Sequence, residues 1–182
     1  MIDSCEVNTT GFPCRSWPKM ITFVLSLALT VSACQTGNDR DSSDETIEEH
    51  GIPFRDDGSL TISRNGNVYL SIRMEIADND SLRARGMMER RSTPEDTGML
   101  FIFDFEEDRE FWMANTPLSL DLLFVNADSI VISIKKYLPP LSPQQVPSNG
   151  PARFVLEVIA GYSDTMGIIE GDKLSWTRGE QE

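Results

Sequence analysis

Two carboxylates sit where an acid is least expected. In Leu120-Asp121-Leu122-Leu123-Phe124-Val125 and in Phe154-Val155-Leu156-Glu157-Val158-Ile159, one acidic residue interrupts an otherwise apolar run. A strand that is apolar at both phases of its alternation is buried on both faces. An isolated charge there is too costly to leave unpaired, so each carboxyl group must be hydrogen-bonded, ion-paired or protonated. If the two face one cleft about 5–10 Å apart, they can act as general acid and base of a hydrolase, for example on cell-wall saccharide. If each accepts backbone N–H groups or an arginine such as Arg85, Arg90 or Arg153, they organise the fold instead.

A second cluster points to binding rather than reaction. Phe111-Trp112-Met113-Ala114-Asn115-Thr116-Pro117 places a large aromatic beside amide and hydroxyl groups, the composition of a small-ligand pocket. Trp112 would stack, Asn115 would orient, and Arg85 and Arg90 would meet an anionic group. A core tryptophan and a turn-holding asparagine would produce the same pattern. Other chemistries lack their residues. There is no Cys/His spacing for zinc, no nucleophile elbow and no Gly-rich phosphate loop. Met87, Met88, Met99 and Met113 have no histidine or cysteine beside them and read as core filling rather than a copper site. No metal or cofactor is expected.

Positioning these residues requires a mainly-β domain over residues 58–178, followed by a short tail, 179–182. Residues 60–64 and 68–76 alternate around Asn65-Gly66-Asn67, which predicts a hairpin. Residues 78–88 predict a short helix capped by Asp78 or Asp80 and broken near Gly86. Strands are predicted at 98–103, 110–115, 118–126 and 129–137, with Asn126-Ala127-Asp128-Ser129 as a tight turn. Residues 138–151 hold five prolines and predict a long irregular loop, either a binding loop or a surface connector. A strand at 152–159, a short helix at 161–166 and a last strand at 173–177 complete the domain. About seven short strands with two small helices imply one barrel-like or curled mixed sheet.

The N-terminus predicts export. Residues 20–31 are uninterrupted by charge, follow Arg15 and Lys19, and are too few to cross a hydrocarbon core of about 30 Å. Val31-Ser32-Ala33-Cys34 resembles a lipobox, so residues 1–33 are expected to be removed and Cys34 to carry lipid. Cys5 and Cys14 lie upstream of that cut, and no intramolecular disulfide is then available. Residues 34–57 read as the lipidated cysteine and an acidic flexible tether. Gln35 to Asp57 carries eight acids against two arginines, and as a coil it would reach about 25 Å. His50, the only histidine, lies in this tether and is expected to be solvated. The formal charge of −13 disfavours nucleic acid and anionic lipid alike, leaving the acyl chains to hold the membrane. Gln35 after the cysteine, where aspartate favours inner-membrane retention, points to the outer membrane if the source is Gram-negative.

From about Ile72 to Trp176 the chain resembles the domain-of-unknown-function 192 family. The resemblance rests on Arg85-Gly86-Met87-Met88-Glu89-Arg90, Gly98-Met99-Leu100-Phe101-Ile102-Phe103, Phe111-Trp112-Met113-Ala114-Asn115-Thr116 with Leu120-Asp121, Val155-Leu156-Glu157 through Gly161, and Gly167-Ile168-Ile169-Glu170-Gly171-Asp172. Ala114 stands where that family usually has lysine. The resemblance implies a compact mainly-β fold, often exported, and brings no established activity or cofactor. The expectation is a lipid-anchored envelope protein that binds a small molecule, peptide or envelope partner without catalysis, through Arg85, Arg90, Trp112, Asn115, Asp121 and Glu157. The alternatives are the carboxylate-pair hydrolase and a structural assembly module, which would show an exposed apolar patch.

Overall fold

The computed structural model describes residues 52–179; residues 20–31, Cys34 and His50 lie outside the described residues. Seven strands and two helices follow in the order β1 (Gly58–Arg64), β2 (Asn67–Ala77), α1 (Asp80–Arg85), β3 (Thr97–Phe111), β4 (Leu120–Val125), β5 (Val131–Leu138), β6 (Val146–Ile159), α2 (Tyr162–Thr165) and β7 (Lys173–Arg178). All strands belong to one sheet, ordered β5-β4-β6-β3-β2-β1-β7. Every neighbouring pair is antiparallel except β2 and β3. The edges β5 and β7 approach at one bridge, Ile130 to Lys173, so the sheet is curled but not closed into a barrel. No helix among the described residues is long and apolar enough to cross a membrane.

The exception to antiparallel pairing is what builds the site. Parallel neighbours cannot be joined by a tight turn and need a crossover. Residues 78–96 provide it, carrying α1 across one face of the sheet. Leu82 and Met87 of this crossover pack with Met99, Phe101, Leu122 and Phe124 on that face. On the other face, Leu60, Ile72, Leu100, Leu123, Leu156 and Val158 form a separate core. Two buried faces account for strands that are apolar at both phases.

Turn chemistry follows the sequence closely. Asn65 and Gly66 both take positive φ, 51° and 81°, as a two-residue hairpin between β1 and β2 requires. The Asn126 side chain accepts the Asp128 and Ile130 N–H groups, closing the β4–β5 turn. Helix α1 is capped by Asn79, whose side chain accepts the Leu82 N–H at 3.0 Å, rather than by Asp78 or Asp80.

Three expectations are corrected. The segments 98–103 and 110–115 are not separate strands: β3 continues through its acidic middle because β6 pairs with it beyond an irregularity between Ile102 and Glu107. Trp112 and Asn115 therefore lie past the end of the strand rather than within the predicted 110–115. The proline-rich segment is only half loop, since β6 begins at Val146. Pro147 and Pro151 are tolerated because this half of β6 pairs with β3 alone, and an edge leaves N–H groups on one side without a ladder. Lastly, residues 52–57 belong to the folded region: the Arg55 N–H donates to Glu75 Oε1 and Asp57 Oδ2 accepts the Ile76 N–H.

Candidate functional site

Register decides which acids meet. Glu75 pairs with Met99 across β2 and β3, Met99 with Glu157 across β3 and β6, and Glu157 with Leu122 across β6 and β4. Directly opposed residues project to the same face, so Glu75, Met99 and Glu157 form one transverse row beneath the crossover. Asp121 is opposed by Val158, one residue out of phase with that row. Asp121 and Glu157 thus project from opposite faces of the sheet. The acid–base pair of the alternative reading does not form, and the carboxylate-pair hydrolase falls with it.

Asp121 is a fastener. Fully buried, it accepts the Tyr137 N–H at 2.8 Å through Oδ1 and the Gly161 and Ser163 N–H groups at 3.1 Å through Oδ2. It ties the end of β5 and the start of α2 to β4. This is the arrangement expected of a fold-organising acid, and it keeps Asp121 out of any shared cleft with Glu157.

On the crossover face, one buried cation pairs with only one of two buried acids. Arg90, buried, places Nη2 at 2.8 and 2.6 Å from the two carboxylate oxygens of buried Glu75. Glu75 also accepts the Arg55 N–H. The Arg90 guanidinium is thereby engaged, although its Nε has no hydrogen-bond partner. Glu157 is 5% exposed, and its Oε2 has no partner. Burial pushes the Glu157 carboxyl up to about 8, against the opposing pull of the Arg90 charge. At neutral pH it holds its proton.

Glu157 lines a cavity of about 280 Å³ together with Arg85, Gly86, Met87, Met88, Phe101, Phe103, Phe111, Trp112 and Thr116. The aromatic wall is interlocked edge to face, with Phe101 and Phe111 ring centres 5.2 Å apart and Phe111 and Phe124 5.8 Å apart. Gly86 sits where the crossover approaches this wall most closely. Its φ of +49° suits glycine, and a Cβ would lie 3.1 Å from the Phe101 ring and 3.7 Å from Glu157 Oε2. A neighbouring cavity of about 190 Å³ shares Arg85 and Gly86 and is bounded by Arg55, Ala77, Arg90 and Met99.

Of the six residues expected to bind, Arg85, Trp112 and Glu157 come together in the larger cavity. Arg90 stands in the smaller one, held by Glu75. Asn115 is exposed and does not line either cavity; its amide reaches Met88 Sδ at 3.9 Å and its carbonyl accepts the Glu89 N–H. Asp121 is on the opposite face. Sequence reasoning missed Glu75, although Met74-Glu75-Ile76 carries the same signal as the other two acids. It also missed the wall of Phe101, Phe103 and Phe111, whose convergence depends on the β3–β6 pairing. Among the described residues, no three His, Cys, Asp or Glu side chains converge as metal ligands would.

A family model, DUF192 (Uncharacterized ACR), matches residues 60–176, which span β1 to β7 and every residue of the larger cavity. The chain belongs to the domain-of-unknown-function 192 family. Solved structures similar to this DUF192 domain include a putative transcription regulator from Sinorhizobium meliloti 1021, 31% identical, with a TM-score of 0.63 over 69% of this chain and 96% of that one. Another is a protein of unknown function from Novosphingobium aromaticivorans DSM 12444, also 31% identical, with a TM-score of 0.61 over 65% of this chain and 84% of that one. No curated protein matches this chain.

Proposed function

We propose that this DUF192 protein is a lipid-anchored envelope protein whose domain binds a small molecule, without catalysis, in the cavity between the crossover and the β3–β6 wall. The observation that carries this reading is Glu157, which lines an aromatic-walled cavity and whose buried Oε2 has no partner. Buried polar groups in folded proteins are nearly always satisfied, and an exception at a cavity marks a place for another molecule. The volume, about 280 Å³, suits a small ligand. Trp112, 58% exposed, stands at this cavity as a surface on which a ligand can stack. The net charge of −13 weighs against extending to this chain the transcriptional role named for the S. meliloti relative.

The cavity is tested by a thermal-shift screen of envelope metabolites on the purified protein. A ligand at about 100 times its Kd stabilises the native state by about 2.7 kcal/mol. The expected hit raises the midpoint of wild type and loses its effect in Trp112→Ala and Glu157→Gln. Hits that survive both substitutions would place binding elsewhere. The anchor is tested separately: Cys34→Ser should move the folded protein from the membrane to the soluble fraction, and continued membrane association would refute lipidation as its cause.

A further inference from the structure

The buried row beneath the crossover holds two carboxyl groups and one guanidinium. Glu75 and Glu157 share its face, and the one guanidinium buried with them, Arg90, gives both of its short contacts to Glu75. Glu157 Oε2 is left without a hydrogen-bond partner in the protein. Arg83 and Arg85 also line the cavity. Arg83 donates to the Asp78 and Ile102 carbonyls and to Asp80, while Arg85 lies 3.7 Å from Glu89. Glu110 adds a second carboxylate to the cavity lining. Beside Ala84, Gly86 and Thr116, the lining is aromatic rings and the two thioethers of Met87 and Met88, whose electron-rich surfaces favour a cation over an anion.

We propose that the cavity selects a small organic cation: a protonated primary amine on a compact apolar body, its ammonium donating to Glu157 Oε2 and its body lying against Phe101, Phe111 and Trp112. This rests on the binding function proposed above and names the ligand class. An ammonium ion supplies an N–H donor together with the positive charge that the Glu157 carboxylate requires once its proton has left. A neutral alcohol supplies a donor alone, and a carboxylate brings no charge that could replace the proton of Glu157. A quaternary ammonium supplies charge without the N–H that Oε2 lacks.

Binding of this kind must displace a proton, because the acid that is neutral in the empty cavity becomes the counter-ion of the ligand. The charged groups around Glu157 are Glu75 on β2, Arg90 in the crossover, Arg83 and Arg85 on α1, and Glu110 on β3; its neighbour on β4 is the uncharged Leu122. The arginines keep their charge throughout the working range and the Arg90–Glu75 pair is already formed, so the released proton is assigned to Glu157.

The probes are benzylamine, benzyl alcohol and benzoate, which share one aromatic body. Binding is followed by tryptophan fluorescence and by isothermal titration at about pH 6.5 in buffers of different ionisation enthalpy. The expected result is that benzylamine binds with release of close to one proton, at least about tenfold more tightly than the alcohol or the acid. Glu157→Gln should weaken benzylamine by a similar factor and abolish proton release. Benzoate or benzyl alcohol binding as well as the amine, with loss of binding in Trp112→Ala, would overturn cation selectivity while leaving the binding function intact. Amine binding without proton release from wild type would likewise overturn it, whether or not the Gln variant folds. If none of the three probes binds and the metabolite screen is also empty, the binding function itself fails.

Discussion

Replacing Glu157 by glutamine should change how stability depends on pH, with a sign set by its burial. In the unfolded chain the carboxyl ionises near 4.5, whereas in the folded protein it is held up to about 8. Between those values the native state keeps a proton that the unfolded state has shed. Raising the pH therefore draws the population toward the unfolded state. The contribution of Glu157 is fully present below about pH 4.5, declines across the window to about 8, and is lost above it. The displacement of 8 − 4.5 = 3.5 pH units corresponds to about 5 kcal/mol at 1.36 kcal/mol per unit. That figure is a ceiling, because solvent entering the cavity mouth screens the charge, and about 2–5 kcal/mol is the working range. Glutamine keeps the shape and polarity without the titration. Urea denaturation of wild type and Glu157→Gln at intervals from about pH 5 to 8.5 isolates the effect, since every other ionisable group is common to both. The wild-type curve should fall relative to the variant by that amount as pH rises. A difference that stays flat within about 0.5 kcal/mol would refute the buried, proton-bearing Glu157.

Other perturbations separate the roles assigned to neighbouring residues. Gly86→Ala should destabilise by about 1–3 kcal/mol through its positive φ and the approach of the new methyl to Phe101, measured by thermal denaturation. Arg90→Met should cost about 3–5 kcal/mol by stranding Glu75, and adding Glu75→Leu should recover much of the loss, which a double-mutant cycle will show. Asp121→Ala should cost about 3 kcal/mol or more, because three backbone donors lose their acceptor, yet the surviving folded protein should bind cavity ligands like wild type. A loss of ligand affinity with stability unchanged would reverse the assignment of Asp121 to the fold.

Much of the architecture was legible in the sequence. Seven strands, two short helices and a curled mixed sheet follow from short alternating runs separated by Asn, Gly and Asp turns, because those residues impose backbone geometry locally. The two-sided apolar strands also announced that Asp121 and Glu157 are buried, since the period of a strand is set by its own covalent geometry. Their roles were not legible. Whether two buried acids face each other depends on the registration of β4 against β6, where a shift of one residue moves every side chain to the other face. Here that registration turns Asp121 toward three backbone N–H groups and Glu157 toward a cavity. Residues 104–109 and 146–151 showed the same limit: their charge and prolines kept them out of the predicted strands, and only pairing between the two segments made them strand. The sequence by itself therefore determined the elements and which unusual residues are buried. Only the tertiary structure decided that Arg90 is taken by Glu75 and that Glu157 is left with an unfilled hydrogen bond, because both depend on a parallel crossover bringing residues 85–90 over strands distant in the chain.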